Sequence, residues 1–414
     1  MSIITQTVGA ITPENCCGCA ACMDKCPVHA ITMHYDSDFN RVPLVDDKAC
    51  ISCGQCVKLC PRINEEDRES CENINGYINV YLGCYENKAV ERNSSSGGIF
   101  AAMALQMIEQ GGIVYGAAMC YENNSLSCRH IRVTEAKDIH LLQGSKYIQS
   151  RTDGIYKQVK DDLKEGRIVL FSGTSCQVAS LKRFVGEVPN LYTIDLVCHG
   201  VPKEKLFKDY ISFYEGKYKC IVKNISFRSK GYFFHGKEMK HLLTLTCEKN
   251  NMLYDDKIIE NKSSYYCLFM SRAGYRSSCY SCIYASPNKP ADITLGDYTL
   301  TSIEAKKYQL LPTHTYSTIL VHNDRGEKML EDIKDNLILA SANPNEVIAR
   351  HGNLNHPSKI TERGTLLYTA YLKGGYSRLQ RIINFIMLKY EIYYYLTISI
   401  KKIAISIKSK VKNV

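Results

Sequence analysis

Residues 16–27 read CCGCAACMDKCP and residues 50–61 read CISCGQCVKLCP. Their cysteines spell one phrase twice: Cys16-x2-Cys19-x2-Cys22-x3-Cys26-Pro27, then Cys50-x2-Cys53-x2-Cys56-x3-Cys60-Pro61. A cubane iron–sulfur cluster needs four thiolates converging on its irons. Three cysteines two residues apart wrap one face of the cube in a tight loop. The fourth, before proline, starts a helix pointing the other way and ligates the other cluster. The expected ligand sets are Cys16, Cys19, Cys22 and Cys60 for one cluster, and Cys50, Cys53, Cys56 and Cys26 for the other. Gly18 and Gly54 let the backbone turn tightly around inorganic sulfide. Zinc also uses Cys-x2-Cys pairs, but it needs only four ligands and usually spaces two pairs apart. Two complete runs with Cys-Pro ends therefore point to two [4Fe-4S] clusters. Cys17 is off register and reads as a spare thiol.

The rest of the chain sets the context. It has 414 residues, enough for two or three domains, with 45% hydrophobic and 23% charged residues as in a globular protein. Its 20 cysteines mean either a disulfide scaffold or metal ligation. The start, Met-Ser-Ile-Ile-Thr-Gln-Thr, has no basic region and no apolar run of a secretory signal, which favours reduced thiolates and a cytoplasmic location. The longest apolar run, Ile382 to Ile400, is interrupted by Lys389 and Glu391 and is not expected to span a membrane. The net charge is +10, but it is local. From Leu366 onward nine basic residues stand against Glu391 alone, so a nucleic-acid-coating role is excluded. That tail has two readings: contact with an anionic membrane surface or a partner, or packing of its apolar face on the body with its lysines solvated. The second is favoured.

Three blocks follow. Residues 1–70 form an internal repeat, an α+β ferredoxin-like domain of the bacterial 2[4Fe-4S] type, with Asn64 to Ser70 as a polar linker. Residues 75–350 alternate strand-like and helix-like patterns: strands at 78–84, 113–119, 168–171 and 191–197, helices at 99–109, 155–164 and 206–214. That pattern predicts an α/β domain with a mixed sheet. Residues 360–414 form a basic, amphipathic helical tail.

Several phrases of the middle block occur together: NSSSGGIF at 93–100, QGSKYIQS at 143–150, FSGTSCQ at 171–177, DLVCHGVP at 195–202, ISFR at 225–228, and SCYSC at 278–282 leading to DITLGDY at 292–298. In this order they resemble the coenzyme F(420) hydrogenase/dehydrogenase beta-subunit family, over about residues 80–350. The resemblance implies an iron–sulfur flavoprotein binding FAD and one further [4Fe-4S] cluster, and exchanging hydride with a deazaflavin or another small-molecule acceptor. It also departs from the family: Ser175 stands where relatives usually carry proline before the cysteine, which loses a rigid turn residue and keeps the thiol.

The residues carry part of this on their own. Ser94, Ser95, Ser96, Gly97 and Gly98 precede a helix, where free N–H groups bind phosphate; a plain serine-rich cap is the alternative. Gly144, Ser145, Lys146, Gly173 and Thr174 complete the expected FAD contacts, with Lys146 beside phosphate or the flavin ring, or else solvated. Cys176, Cys198, Cys279 and Cys282 are candidate ligands of a third cubane, against buried free thiols or zinc; Cys267 is a substitute. His199, Lys146 and Arg228 are the candidate catalytic residues. His199 is a proton or hydrogen-bond donor, or a structural histidine. Arg228 holds an acidic substrate, or forms an ion pair. Arg276 is a further substrate candidate, and Asp292 and Asp297 orient ligand loops.

The function expected is an FAD-dependent iron–sulfur oxidoreductase, served by a soluble electron donor or acceptor protein such as a ferredoxin. The rival is an electron-transfer subunit without its own substrate site, docking to a separate catalytic partner.

Overall fold

The computed structural model describes residues 7–63, 79–230, 233–234, 237–238 and 242–411, with 233–234, 237–238 and 390–411 as backbone only. The linker expected at 64–70 and the side chains of the last lysines lie outside the described residues.

Each cysteine run contains one turn and a half of helix, Ala21–Lys25 and Gln55–Leu59, which the fourth cysteine, Cys26 or Cys60, ends rather than starts, and between the two helices lies an antiparallel hairpin of β1 (Ile31–Tyr35) and β2 (Arg41–Val45). The repeat extends to the backbone dihedrals. Residues two and four beyond the first cysteine are left-handed in both runs: Gly18 and Ala20 (φ +68° and +59°), Ser52 and Gly54 (+51° and +67°). Only one of each pair is glycine. Ala20 and Ser52 hold a conformation that costs an L-residue roughly 1–2 kcal/mol, so each loop stores strain the sequence reading assigned to glycines alone.

The body is built on an eight-stranded sheet of order β15-β3-β14-β13-β7-β6-β4-β5. Its strands are β3 (Asn79–Tyr85), β4 (Ile113–Glu122), β5 (Ser125–Val133), β6 (Val169–Ser172), β7 (Leu191–Leu196), β13 (Ile293–Tyr298), β14 (Tyr316–Val321) and β15 (Leu337–Ser341). The central four, β13-β7-β6-β4, are parallel, and both flanks are antiparallel. Parallel strands are covered on both faces, and their runs are accordingly apolar throughout. Val114 and Leu170 pack under the helix Ile99–Glu109. Their neighbours Ile113, Tyr115, Val169 and Phe171 pack under the helices Ile155–Lys164 and Ser175–Val185.

A second, antiparallel sheet of order β12-β11-β8 comprises β8 (Ile221–Ser229), β11 (Leu242–Lys249) and β12 (Met252–Ile259). Between β8 and β11 sits the two-residue pair β9 (Phe233–Phe234) and β10 (Lys237–Glu238). The helical segment Glu362–Val411, broken at Gly374 and Gly375, buries Leu367, Ala370, Tyr371, Tyr376, Leu379 and Ile383 in this sheet's core. Through Ile383, then, the tail packs on the body. Among the described residues no helix is long and apolar enough to cross a membrane.

The cysteine-rich module is joined to the body by more than chain connectivity. Its Ala21 and Leu59 share an apolar cluster with Tyr156, Phe171 and Phe184. Around that contact, Thr152 Oγ1 donates to the Cys19 carbonyl at 2.6 Å, Gly154 N to Asp24 Oδ1 at 2.9 Å, and Arg41 Nη2 to both carboxylate oxygens of Asp153 at 2.6 and 2.7 Å.

Candidate functional site

A cavity of about 380 Å³ lies at the carboxyl ends of the parallel strands. Chain leaving β6 supplies Gly173 to Gln177, chain leaving β7 supplies Val197 to Val201, and β13 supplies Leu295 to Asp297. In open α/β sheets this is where ligands sit, since successive strand ends there present loops to one crevice. The volume falls in the range of small-molecule sites.

On one wall is the serine loop. Ser94, Ser95, Ser96 and Gly98 line the cavity, beside Gly144, Ser145 and Lys146. The two loops are stitched together: Ser145 donates to Ser95 Oγ from its amide at 2.7 Å, and Gln143 Nε2 donates to Ser94 Oγ at 2.8 Å. Ser96 Oγ is fixed to the Tyr316 carbonyl at 2.6 Å. The helix Ile99–Glu109 starts here from left-handed Gly98 with no side-chain cap, and its Ile99 and Phe100 form part of the wall. Uncapped amides at a helix start suit an anionic group. Gly97 is the exception among residues 94–98. It does not line the cavity, and a Cβ there would stand 2.4 Å from Gly83 O and 2.8 Å from Ser317 N. Its glycine serves the close packing of this loop on β3 and β14.

Lys146 lines the cavity with its ammonium held by the carbonyls of Gln143 (2.7 Å) and Leu141 (3.1 Å). Burial pushes its pKa down to about 8, with Cys128 and Cys120 acting in the opposite direction. Gly173 and Thr174 also reach the cavity. Thr174 caps the helix Ser175–Val185 in a reciprocal box with Gln177, and its hydroxyl lies 3.1 Å from Cys176 Sγ. Its first visible task is to hold that cysteine.

The opposite wall holds Cys176, Cys198, Cys279 and Cys282. They are neighbours electrostatically: Cys198 feels Cys176 and Cys282, and Cys279 feels Cys198 and Cys282. Burial first, then these like neighbours, push the Cys198 thiol up to about 12. Four thiols that oppose one another's ionisation suit a polycation that neutralises them. A second observation bears on the fit. Gly200 N, at positive φ, donates to Cys198 Sγ at 3.4 Å. Gly18 N to Cys16 Sγ and Ser52 N to Cys50 Sγ repeat that bond, also at 3.4 Å and at positive φ. The β7 loop thus presents Cys198 as the cysteine runs present their first cysteine. Val201 N adds a bond to Cys279 Sγ at 3.5 Å. Such N–H···S bonds tune cluster potentials. Among the described residues, no three His, Cys, Asp or Glu side chains are gathered as a single metal ion requires. Cys267 is elsewhere, buried in the core of the second sheet with its thiol on the carbonyls of Asn261 and Glu260.

In the module, Cys22 has Cys19, Cys16 and Cys60 as like neighbours, and Cys60 has Cys19 and Cys16. These four line one small cavity. The crossing of ligands between the two runs is therefore present in space for the first set. Cys53 is exposed, whereas Cys16 is buried. The first set faces the body and the second lies nearer solvent.

Three further candidates resolve differently. His199 lines the cavity, its imidazole held below the ordinary range by burial and then by Arg272. Arg228 also lines it, but its guanidinium is paired with Asp297, so the charge proposed for an acidic substrate already has a carboxylate. Arg276 also lines the cavity, but its guanidinium is already engaged by protein carbonyls. It is 1% exposed and bonds the carbonyls of Cys16 and Arg41, both at 2.9 Å. Asp292 is fully buried and accepts from Thr193 at 2.7 Å from both the amide and the hydroxyl. It braces β7, the strand that ends in Cys198.

Sequence reasoning missed Gln149, whose Nε2 donates to the carbonyls of Cys17 (3.2 Å) and Gly18 (3.1 Å). It also set Cys17 aside. Cys17 lines the cavity, and its thiol donates to Cys176, which pulls the Cys176 thiol down to about 6. The spare thiol therefore sits between the first cysteine run and the quartet.

Comparison with known families agrees with this layout. Residues 166–347 match the model for the C terminus of the coenzyme F420 hydrogenase/dehydrogenase beta subunit, and residues 15–63 match the 4Fe-4S dicluster domain. By the first match, residues 166–347 belong to the coenzyme F420 hydrogenase/dehydrogenase beta-subunit family. Its N-terminal segment is a 4Fe-4S dicluster domain. No curated protein matches the chain. Among solved structures it is similar to one described as "Xenon derivatization of the F420-reducing [NiFe] hydrogenase complex from Methanosarcina barkeri". Identity is 13%, with 72% of this chain and 94% of that chain covered at a TM-score of 0.43. Nothing about function follows from so loose a likeness. The family membership makes this an iron–sulfur protein of oxidoreductase type.

Proposed function

We propose that this chain is an FAD-dependent iron–sulfur oxidoreductase acting on a small organic molecule or a deazaflavin-like coenzyme. One observation carries the reading. A single cavity is lined at once by the serine loop, by Ser145 and Lys146, by the four cysteines 176, 198, 279 and 282, and by Cys17 of the first cysteine run. Bound FAD supplies hydride exchange, and bound clusters supply one-electron steps. Ser94, Ser95, Ser96, Gly98, Gly144 and Ser145 would hold the flavin, with Lys146 supplying a cation. The four cysteines would hold a third [4Fe-4S] cluster. His199 would offer its imidazole at the cavity wall to a substrate proton. The exposed Cys53 end of the module is where a soluble carrier protein such as a ferredoxin would dock.

The test is anaerobic purification followed by iron, sulfide and flavin analysis. About twelve irons per chain, as three [4Fe-4S] clusters require, together with FAD, are expected. About eight irons and no flavin would leave only an electron-transfer subunit without its own substrate site.

A pH dependence follows from Lys146. Its cationic form attracts the FAD diphosphate and is lost as pH rises through about 8. Affinity of the flavin-free protein for FAD should therefore fall by up to tenfold per pH unit above that point. Lys146→Met should bind more weakly and show no such step. A pH-independent affinity in the parent, measured by fluorescence titration, removes Lys146 from the site.

A further inference from the structure

Arg276 is among the largest fully buried side chains in the protein. Burying a cation without a partner is very costly, so buried charges are paired. Among the described residues Arg276 has no carboxylate within ion-pair distance. Its Nη2 donates to the carbonyls of Cys16 and Arg41, its Nη1 donates to Gln149 Oε1 at 2.8 Å, and its Nε has no acceptor. Carbonyls and an amide orient a guanidinium but do not neutralise it. The groups around it that would carry negative charge as cluster ligands are sulfurs: Cys16 of the first cysteine run, and Cys176 and Cys279 of the quartet, each in its field.

The position is built from both sides. Arg276 N donates to Val201 O at 2.9 Å, and Cys279 N donates back to Arg276 O at 3.0 Å, so the residue begins the turn that carries Cys279. Facing it is Gly18, where a Cβ would stand 2.7 Å from Arg276 Nη1 and 2.7 Å from Gln149 Nε2. The equivalent residue of the second run is Ser52, which carries the side chain that Gly18 lacks.

We infer that Arg276 is a fixed charge shared by two clusters, the one on Cys16, Cys19, Cys22 and Cys60 and the one on the quartet, and that it raises the reduction potential of both. This rests on the third cluster proposed above. Reducing a cluster adds one negative charge. A nearby buried cation stabilises that charge, and the low-dielectric surroundings keep the attraction strong and little screened by salt. With both clusters bound, transfer of one electron from the first to the quartet's would oxidise one as it reduces the other, and the net charge beside Arg276 would be unchanged. The cation therefore favours placing an electron on the pair without opposing transfer within it. The cluster on Cys50, Cys53, Cys56 and Cys26 lies outside the arrangement. Arg276 is accordingly a positioning and tuning residue, not one that touches substrate.

The test is a redox titration followed by electron paramagnetic resonance on Arg276→Gln and Arg276→Lys in the full chain. In Arg276→Gln with a full iron complement, two of the three cluster potentials should move to more negative values and the third should stay. Arg276→Lys, which keeps a positive charge, should lie closer to the parent. If Arg276→Gln does not assemble, Gln149→Glu places a carboxylate against the intact guanidinium and should move the same two potentials in the same direction. Unchanged potentials, or a shift equal in all three, overturn the inference. A parent protein holding only two clusters shows in its own iron count and overturns the third-cluster reading first, before any variant is compared.

Discussion

Replacing Cys279 by alanine should reduce the iron content from about twelve atoms per chain to about eight, the loss of one whole cubane. A cubane left with three thiolates is exposed to solvent at its fourth iron. Cys279 is placed to matter more than a casual buried thiol. It is the cysteine whose turn is started by Arg276, and its sulfur accepts a hydrogen bond from Val201 N at 3.5 Å. The spectra of the two module clusters should remain, because their cysteines lie in the separate runs at 16–26 and 50–60. Reduction of bound flavin by a ferredoxin or a low-potential dye should fall to background, while direct photoreduction of the flavin persists. Iron and sulfide assays with low-temperature spectra decide it. A variant that keeps the parent's iron and electron flow would mean the quartet is not a cluster site.

The second large effect is on folding. Gly97→Val should destabilise the body by about 3 kcal/mol or more, the upper end of overpacking costs. The contacts that a Cβ would meet are Gly83 O and Ser317 N, backbone atoms of adjacent strands β3 and β14, at 2.4 and 2.8 Å. Backbone in a sheet cannot rotate aside as a side chain does. The loop is also tied at this point by Gly97 N to Ser317 Oγ at 3.0 Å and by Tyr85 N to Gly97 O at 2.7 Å. Denaturant unfolding of the flavin-free protein should show the loss directly, and the displaced serine loop should cost flavin affinity as well. Ser95→Ala, which removes a hydroxyl but leaves the backbone in place, should stay much closer to the parent. Parent-like stability in Gly97→Val would show that the loop can lift away from the sheet freely.

Much of this site was legible in the sequence because it lies in short, continuous phrases. The cysteine spacing pointed to one grouping that is present in space, since Cys60 does lie with Cys16, Cys19 and Cys22. The strand ends and the following loops were readable because buried parallel strands leave unbroken apolar runs such as Ile168 to Phe171 and Leu191 to Val197. The second sheet was not readable. Its outer strand β12 carries Asp255, Asp256 and Lys257 and is largely exposed, so it shows no apolar alternation. The docking of the cysteine module was equally hidden. It rests on Arg41, on Gln149 and Thr152, and on Arg276, polar residues from three segments far apart in the chain. Arg276 reads as a substrate residue for the same reason: an arginine near a cavity phrase suggests an anionic ligand, and only the fold shows that, at the cavity wall, it also bonds the carbonyl of Cys16.

The docking has a kinetic meaning. A carrier that wanders must find its enzyme by collision, and its delivery slows as either is diluted. Here Gln149 and Arg276 clasp the loop bearing Cys16 to Gly18 against the wall that bears Cys176 and Cys279. On the proposed function, passage of an electron between module and cavity would be a first-order event within one molecule. Its rate would be indifferent to protein concentration, and collision would govern only the exchange with a separate carrier protein.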